Sequence, residues 1–114
     1  MNRNDLHWSP VCRLDEILPG TGVCALVNER AVAVFRMDDA DGSLYAIDNF
    51  DPNAGANVLS RGLVGNLGER IVVASPIFKH HFDLRSGECL EAPEYSVRAH
   101  AVRVDEGRVL VALG

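Results

Sequence analysis

The stretch SPIFKHHFDLRSG, residues 75–87, decides how this chain folds. It follows a continuous apolar run at residues 71–74, which predicts a buried strand. Ser75-Pro76 then begins a loop, because proline cannot continue a central strand. Beyond the loop, residues 82–84 and 88–90 flank Ser86-Gly87, a pair that is typical of a short hairpin. The stretch therefore predicts a strand, a loop and a hairpin in that order.

Short apolar runs separated by turn residues continue towards both ends of the chain. Residues 23–27 and 31–35 predict two strands joined by residues 28–30, and residues 44–47 predict a third. Residues 102–104 and 108–113 predict a hairpin around Gly107, and the inward face changes near Ala101, which indicates a bulge or a strand that changes sheets. Single helical turns are expected at residues 14–18 and 56–60. We predict an all-β fold, an antiparallel β-sandwich or barrel.

Length and charge restrict the class of function. A chain of 114 residues is expected to form one domain, residues 1–114. Its net charge is −5 and Lys79 is its only lysine, whereas proteins that bind nucleic acid usually present a basic face. No apolar run approaches the ~18 residues of a membrane span, and the first ten residues are unlike a signal peptide. We expect no nucleic-acid partner, no membrane partner and a cytoplasmic location.

The cysteines and the glycine-rich stretch carry no cofactor signature. The cysteines are too widely spaced for a zinc or redox pair and are expected to be small buried residues in a reducing compartment: Cys12, Cys24 and Cys89. A loop is expected to contain Gly62, Gly65 and Gly68. These glycines do not form a dinucleotide-binding fingerprint, because no predicted strand precedes them and no predicted helix follows them.

Residues 48–56, DNFDPNAGA, are the second segment that combines proline, glycine and polar residues. The order of strand, loop, strand, Ser-Pro loop and hairpin resembles the Rieske [2Fe–2S] ferredoxin-like domain over residues 8–113. In that family the first loop supplies Cys-x-His and the second Cys-x-x-His. The resemblance places the first pair of ligand positions on Asn49 and Asp51 and the second pair on Ser75 and Phe78.

None of these four residues is a ligand of the Rieske type. A Rieske centre needs two thiolates on one iron and two imidazoles on the other. Asn49 offers a neutral amide oxygen, Ser75 a hydroxyl group and Phe78 no donor, while Asp51 is a hard oxygen donor that matches iron–sulfide poorly. The resemblance therefore implies a Rieske-like fold with a loop-rich former cluster-binding region. It also implies that this chain binds no cluster, metal or other cofactor.

One branch of the family has the Rieske-like fold but lacks the cluster ligands. The chain is similar to the small subunits of the NAD(P)H-dependent assimilatory nitrite reductases at Trp8 with residues 11–12 and at residues 19–26, 48–52, 55–62 and 73–87. The resemblance implies an accessory subunit of a nitrite reductase, with no catalytic residues of its own. Its partner would be the large catalytic subunit, which carries FAD, a [4Fe–4S] cluster and sirohaem and reduces nitrite to ammonium.

The two loops are expected to lie together at one end of the fold and to contact the large subunit. A small positive patch there, formed by Lys79, His80 and Arg85, would face an acidic region of the partner. The candidate contact residues are Asn49, Asp51, Arg61, Ser75, Phe78, Lys79 and His80. The same side chains would alternatively only cap the fold through hydrogen bonds.

Single positions in these loops also leave alternatives open. Phe78 is either core that fills the space of the cluster or an exposed anchor. Neighbouring side chains on an extended segment point to opposite faces. We therefore expect His80 to face solvent and His81 to be packed or hydrogen-bonded.

Two other functions stay open at this stage. The first is a Rieske-type ferredoxin that transfers electrons through a [2Fe–2S] cluster held by non-standard ligands. The second is an independent domain that binds a metal or a small molecule through Asp51 and a histidine.

Overall fold

The computed structural model describes residues 7–114, in which the regular elements are strands and short 3-10 helices. The strands are β1 (Ser9–Arg13), β2 (Thr21–Val27), β3 (Arg30–Arg36), β4 (Leu44–Asp48), β5 (Phe50–Asp51), β6 (Ala56–Asn57), β7 (Leu63–Leu67), β8 (Arg70–Ala74), β9 (His81–Asp83), β10 (Ala99–Asp105) and β11 (Arg108–Ala112). The 3-10 helices are Leu14–Glu16, Leu59–Arg61 and Pro93–Tyr95.

Six strands form one antiparallel sheet in the order β1-β11-β10-β4-β3-β2. β1 also lies against β2, so the sheet curls towards closure. Two hairpins turn at Asn28-Glu29 and Glu106-Gly107, where both central residues have positive φ. Such turns have the twist of the strands that they join. The predicted all-β antiparallel fold is confirmed.

The other strands form a three-stranded sheet, β7-β8-β9, and a two-stranded ribbon, β5-β6. β3 lies between two cores because side chains alternate across a strand. Val32 and Val34 turn to a core that includes Val109 and Val111. The opposite face of β3 packs against the three-stranded sheet through a second core that contains Ala33, Phe35, Val73, Phe82 and Leu84. The two loops of interest extend from this second core.

The structure corrects several local predictions. Residues 88–90 do not form a strand and make one bridge, between Cys89 and Phe82. The second helical turn begins at Leu59 instead of residue 56, and the glycine-rich stretch contains a strand, β7, with Gly65 inside it. β10 changes neighbours where the inward face was predicted to change, because it pairs with β4 through His100 and with β11 from Ala101.

The cysteines differ in their surroundings. Cys89 is buried and Cys12 half-buried, and burial raises the pKa of both thiols. Cys24 is exposed, so its predicted burial is wrong. Cys24 lies on β2, and its sulfur accepts a hydrogen bond from Asn49 in the first loop.

Within the described part of the chain, no helix has the length and apolarity that crossing a bilayer requires.

Candidate functional site

Asp51 is the centre of the first loop, and its carboxylate is fully buried. One oxygen, Oδ1, accepts hydrogen bonds from the backbone N–H groups of Asn53 (2.9 Å) and Ala54 (3.3 Å). The other, Oδ2, accepts the hydroxyl of Ser75 at 2.5 Å. Because Ser75 begins the second loop, this hydrogen bond joins the two loops at two of the positions to which the resemblance assigned cluster ligands.

The second loop is a closed turn with its own hydrogen bonds. Ser75 N donates to the carbonyl oxygen of His80 at 2.9 Å, and Lys79 N donates to the carbonyl oxygen of Ser75 at 3.1 Å. Lys79 has a φ of 65°, a left-handed conformation that is uncommon outside glycine. Backbone in such a conformation persists only where the surroundings impose it. The turn therefore holds residues 76–78 at the surface in one arrangement.

Asn49 fastens the first loop to the six-stranded sheet. Its amide nitrogen Nδ2 donates to Cys24 Sγ at 3.3 Å, and its oxygen Oδ1 accepts the backbone N–H of Ser60 at 2.7 Å. The side chain is buried, with 2% of its surface exposed. Both polar ends of Asn49 are thus used inside the fold.

A second contact between the loops joins Asn53 and His80. Asn53 Nδ2 lies 2.8 Å from His80 Nδ1. An amide nitrogen only donates, so His80 Nδ1 is the acceptor in this contact. His80 was predicted to face solvent, but its side chain is half-buried. His81 is hydrogen-bonded, as predicted, with Nδ1 2.6 Å from Glu91 Oε2.

Phe78 is exposed and does not fill the core, so the core alternative predicted for it is wrong. Its exposed fraction is 56%, and that of its neighbour Ile77 is 46%. Lys79 is exposed beside them, so the surface of the loop end combines apolar and basic side chains, and Arg61 is exposed on the 3-10 helix Leu59–Arg61. Three candidate contact residues are instead buried and support this surface from within: Asn49, Asp51 and Ser75.

The donor set of the loops does not fit a [2Fe–2S] cluster. Among the residues that the structure describes, no three His, Cys, Asp or Glu side chains converge as metal ligands, and no buried side-chain polar atom lacks a hydrogen-bond partner. Asp51 and Ser75 satisfy each other, and Asn49 is satisfied by Cys24 and Ser60. A cluster at these positions would have to break these hydrogen bonds, and none of the four side chains would supply a thiolate or an imidazole.

Sequence reasoning missed a buried pair below the first loop. His100 Nε2 lies 2.8 Å from Asp48 Oδ1, and His100 Nδ1 accepts the N–H of Gly114 at 2.9 Å. Burial alone would raise the pKa of Asp48, but hydrogen bonds from His100 and the Arg98 backbone, with the charge of Arg30, lower it. Only the polarity of a histidine within an apolar strand could have indicated this pair.

An open groove of about 660 Å³ lies beside the first loop. It is bordered by exposed apolar side chains, Leu26 and Phe50, and by two arginines, Arg30 and Arg98, with Asp48 and Pro52 in its lining. Arg30 Nε is 3.0 Å from Asp48 Oδ1, so one of these cations is paired. The groove adds a concave surface to the loop end that the sequence did not indicate.

Comparison with known proteins adds family information to this geometry. The family model described as "Rieske-like [2Fe-2S] domain" matches residues 7–112. The nitrite reductase (NADH) small subunit of Salmonella typhimurium (strain LT2) is 45% identical over 103 residues, which are 90% of this chain and 94% of that protein. The solution structure of the Escherichia coli protein NirD has a TM-score of 0.85 and 42% identity, and the match covers 95% of this chain and 97% of that one.

A third similarity is to part of a much longer protein. The nitrite reductase [NAD(P)H] large subunit of Klebsiella oxytoca is 42% identical over 104 residues, which are 91% of this chain and 11% of that protein. A domain similar to this chain thus occurs inside a polypeptide with the name of a large subunit.

Proposed function

Because the chain belongs to the Rieske-like [2Fe-2S] domain family, and within it to the nitrite reductase (NADH) small subunits, we propose that it is an accessory subunit that works without a cluster. It supports the reduction of nitrite to ammonium by the large subunit and contributes no catalytic residue. Its location is the cytoplasm, and its three free thiols suit that reducing compartment.

The hydrogen bond between Asp51 and Ser75 is the observation that carries this proposal. It joins the two loops at 2.5 Å between buried atoms, so the loops keep their shape with no metal between them. A buried carboxylate with three hydrogen-bond donors is already satisfied. The chain is therefore suited to present a surface and poorly suited to carry an electron.

The large subunit is the partner that the relatives favour. In the Klebsiella oxytoca protein a similar domain belongs to the same polypeptide as the large subunit, which keeps the two permanently close. We assign FAD, the [4Fe–4S] cluster and sirohaem to the large subunit. We assign its contact with this chain to the loop end, where Phe78, Lys79, Arg61 and the edge of His80 are accessible.

The activity of a reconstituted complex tests this proposal. The large subunit is purified alone, and NADH-dependent nitrite consumption is measured as this chain is added. We expect activity to rise to a plateau at a fixed stoichiometry and a heat-denatured sample of the chain to have no effect. Equal activity with and without the folded chain would overturn the proposal.

The alternative function is electron transfer through a cluster, which the description of the matching family model favours. The chain is prepared with adequate iron beside a Rieske ferredoxin as the positive control. We expect no visible absorption band and no stoichiometric acid-labile sulfide in this chain. A coloured preparation with the electron paramagnetic resonance of spin-coupled iron would replace the accessory role by the ferredoxin one.

A further inference from the structure

The outer edge of β7 has no neighbouring strand among residues 7–114, because its sheet has the order β7-β8-β9. The edge carries exposed apolar side chains, with exposed fractions of 78% for Leu63 and 44% for Leu67. No lysine, proline or charged residue interrupts the strand. Natural proteins usually protect such an edge with one of these residues or cover it.

The backbone groups on this edge can be assigned from the neighbouring strand. Leu84 N donates to the carbonyl oxygen of Ile71, so Ile71 directs its backbone polar groups towards β9 and away from β7. Asn66 lies opposite Ile71 and therefore directs its own N–H and C=O to the free edge. By alternation along the strand, Val64 does the same. Both residues can form hydrogen bonds with another strand.

The sequence around β7 is self-complementary in antiparallel pairing. Residues 63–67 read LVGNL, and a two-fold axis at Gly65 aligns this strand with a second copy of itself. Leu63 then lies opposite Leu67 of the second copy. The register also places Val64 opposite Asn66, which are the two residues with free backbone groups.

Gly65 is a further observation on the same strand. A side chain at this position would meet nothing within 4 Å, so the packing of the chain itself does not require glycine there. Glycine inside a strand weakens it and often marks a place where another backbone approaches closely. At the centre of the register described above, Gly65 faces Gly65 of the second copy in a pair without mutual hydrogen bonds, the closer of the two kinds of pair.

We propose that β7 is a homodimer interface, in which two copies of this chain join their three-stranded sheets edge to edge about a two-fold axis at Gly65. Val64 and Asn66 of each copy exchange backbone hydrogen bonds, and the leucines pack across the strands. A self-complementary patch of this kind is what a closed two-fold dimer requires. The proposal is independent of the large subunit.

The test removes a backbone donor on the free edge. Asn66→Pro deletes the outward N–H and leaves pairing with β8 intact, whereas Asn66→Ala keeps the N–H and serves as the matched control. Sedimentation equilibrium of the chain alone is measured from about 10 μM to 1 mM, the range of a weak interface. We expect wild type and Asn66→Ala to dimerise and Asn66→Pro to stay monomeric with an unchanged circular dichroism spectrum.

A wild-type chain that is monomeric at 1 mM, or a dimer that survives Asn66→Pro, would overturn the proposal.

Discussion

At the scale of single residues, Ser75 and Asp51 join two loops through a direct hydrogen bond. The hydroxyl of Ser75 supplies the donor and the buried carboxylate of Asp51 supplies the acceptor. Hydrogen bonds to a charged group contribute about 1.5–3 kcal/mol. Asn53 and His80 add a second, partly exposed contact between the same loops. We therefore expect polar side chains to contribute to stability at this end of the fold.

Ser75→Ala tests that contribution. Deleting the hydroxyl leaves Asp51 Oδ2 buried without its donor, and we expect the free energy of unfolding to fall by about 1–3 kcal/mol. Ser86→Ala is the control, because Ser86 is exposed and accepts one backbone N–H at 3.2 Å. Urea denaturation at pH 7 measures both variants. Equal midpoints for the two would show that the Asp51–Ser75 hydrogen bond has no net stabilising effect.

Phe78→Ala separates binding from stability. More than half of the Phe78 side chain is exposed, so its removal should change the free energy of unfolding by less than about 0.5 kcal/mol. An exposed aromatic anchor can contribute about 2 kcal/mol or more to binding, so affinity for the large subunit should fall clearly. Phe82→Ala is the contrast, because Phe82 is fully buried and its loss should cost about 3–5 kcal/mol. Unchanged capture of Phe78→Ala by the large subunit would remove Phe78 from the interface.

At the scale of elements, long apolar runs were predictable and short or glycine-rich strands were not. β3, β4 and β8 are runs of apolar residues, whose period and composition are visible in one sequence. β7 was missed because Gly65 interrupts its alternation and tertiary pairing with β8 overrides the weak propensity of glycine. The ligand positions were placed by resemblance. The pairing of Asp51 with Ser75 was not predictable, because 24 residues separate them.

Gly87 ends the turn that follows β9, and its replacement tests how tightly that turn is packed. Its φ is +83°, and a side chain at this position would collide with the carbonyl oxygen of Val97. Gly42→Ala is the matched control, because Gly42 has a φ of +60° and open space around it. An alanine in the left-handed conformation costs about 1–2 kcal/mol in both variants. Because of the added collision, we expect Gly87→Ala to lower the free energy of unfolding clearly more than Gly42→Ala does. Thermal denaturation measures the difference, and equal losses would show that the Val97 backbone yields to the new methyl group.

At the scale of the whole molecule, we expect Lys79 to orient the chain towards an acidic surface of its partner. The chain has a net charge of −5, and this lysine, the only one in its sequence, lies in the second loop. Lys79→Glu should slow association with the large subunit and reduce the salt dependence of the rate, because rim charges act mainly on encounter. Arg13→Glu makes the same change in net charge on β1 and should slow association less. Stopped-flow measurements at two ionic strengths give both association rates. Equal effects of the two variants would indicate that net charge, and not the position of Lys79, controls the rate.

Asp48 links elements that are distant in sequence and sets how stability responds to acid. Its carboxylate accepts hydrogen bonds from His100 Nε2 (2.8 Å), Arg30 Nε (3.0 Å) and the backbone of Arg98 (3.3 Å), which connects β3, β4 and β10. Burial opposes ionisation, but these donors outweigh it and hold the pKa of Asp48 below the unfolded value of 3.8. A depressed pKa adds stability above the unfolded value, and that contribution is lost as the pH falls through the folded one.

We therefore expect the urea midpoint of the wild-type chain to decrease as the pH is lowered below about 4, the ordinary range of an aspartate pKa. Asp48→Asn removes the ionisable group. It should lower the urea midpoint at pH 7 and weaken the decrease of the midpoint at acid pH. Asp105→Asn is the control, because Asp105 is an exposed carboxylate, and it should leave the acid dependence of the urea midpoint unchanged. Urea titrations from pH 7 to pH 3 measure all three proteins. An Asp48→Asn variant that keeps the full wild-type acid dependence would show that other carboxylates, such as Glu91 beside His81, control it.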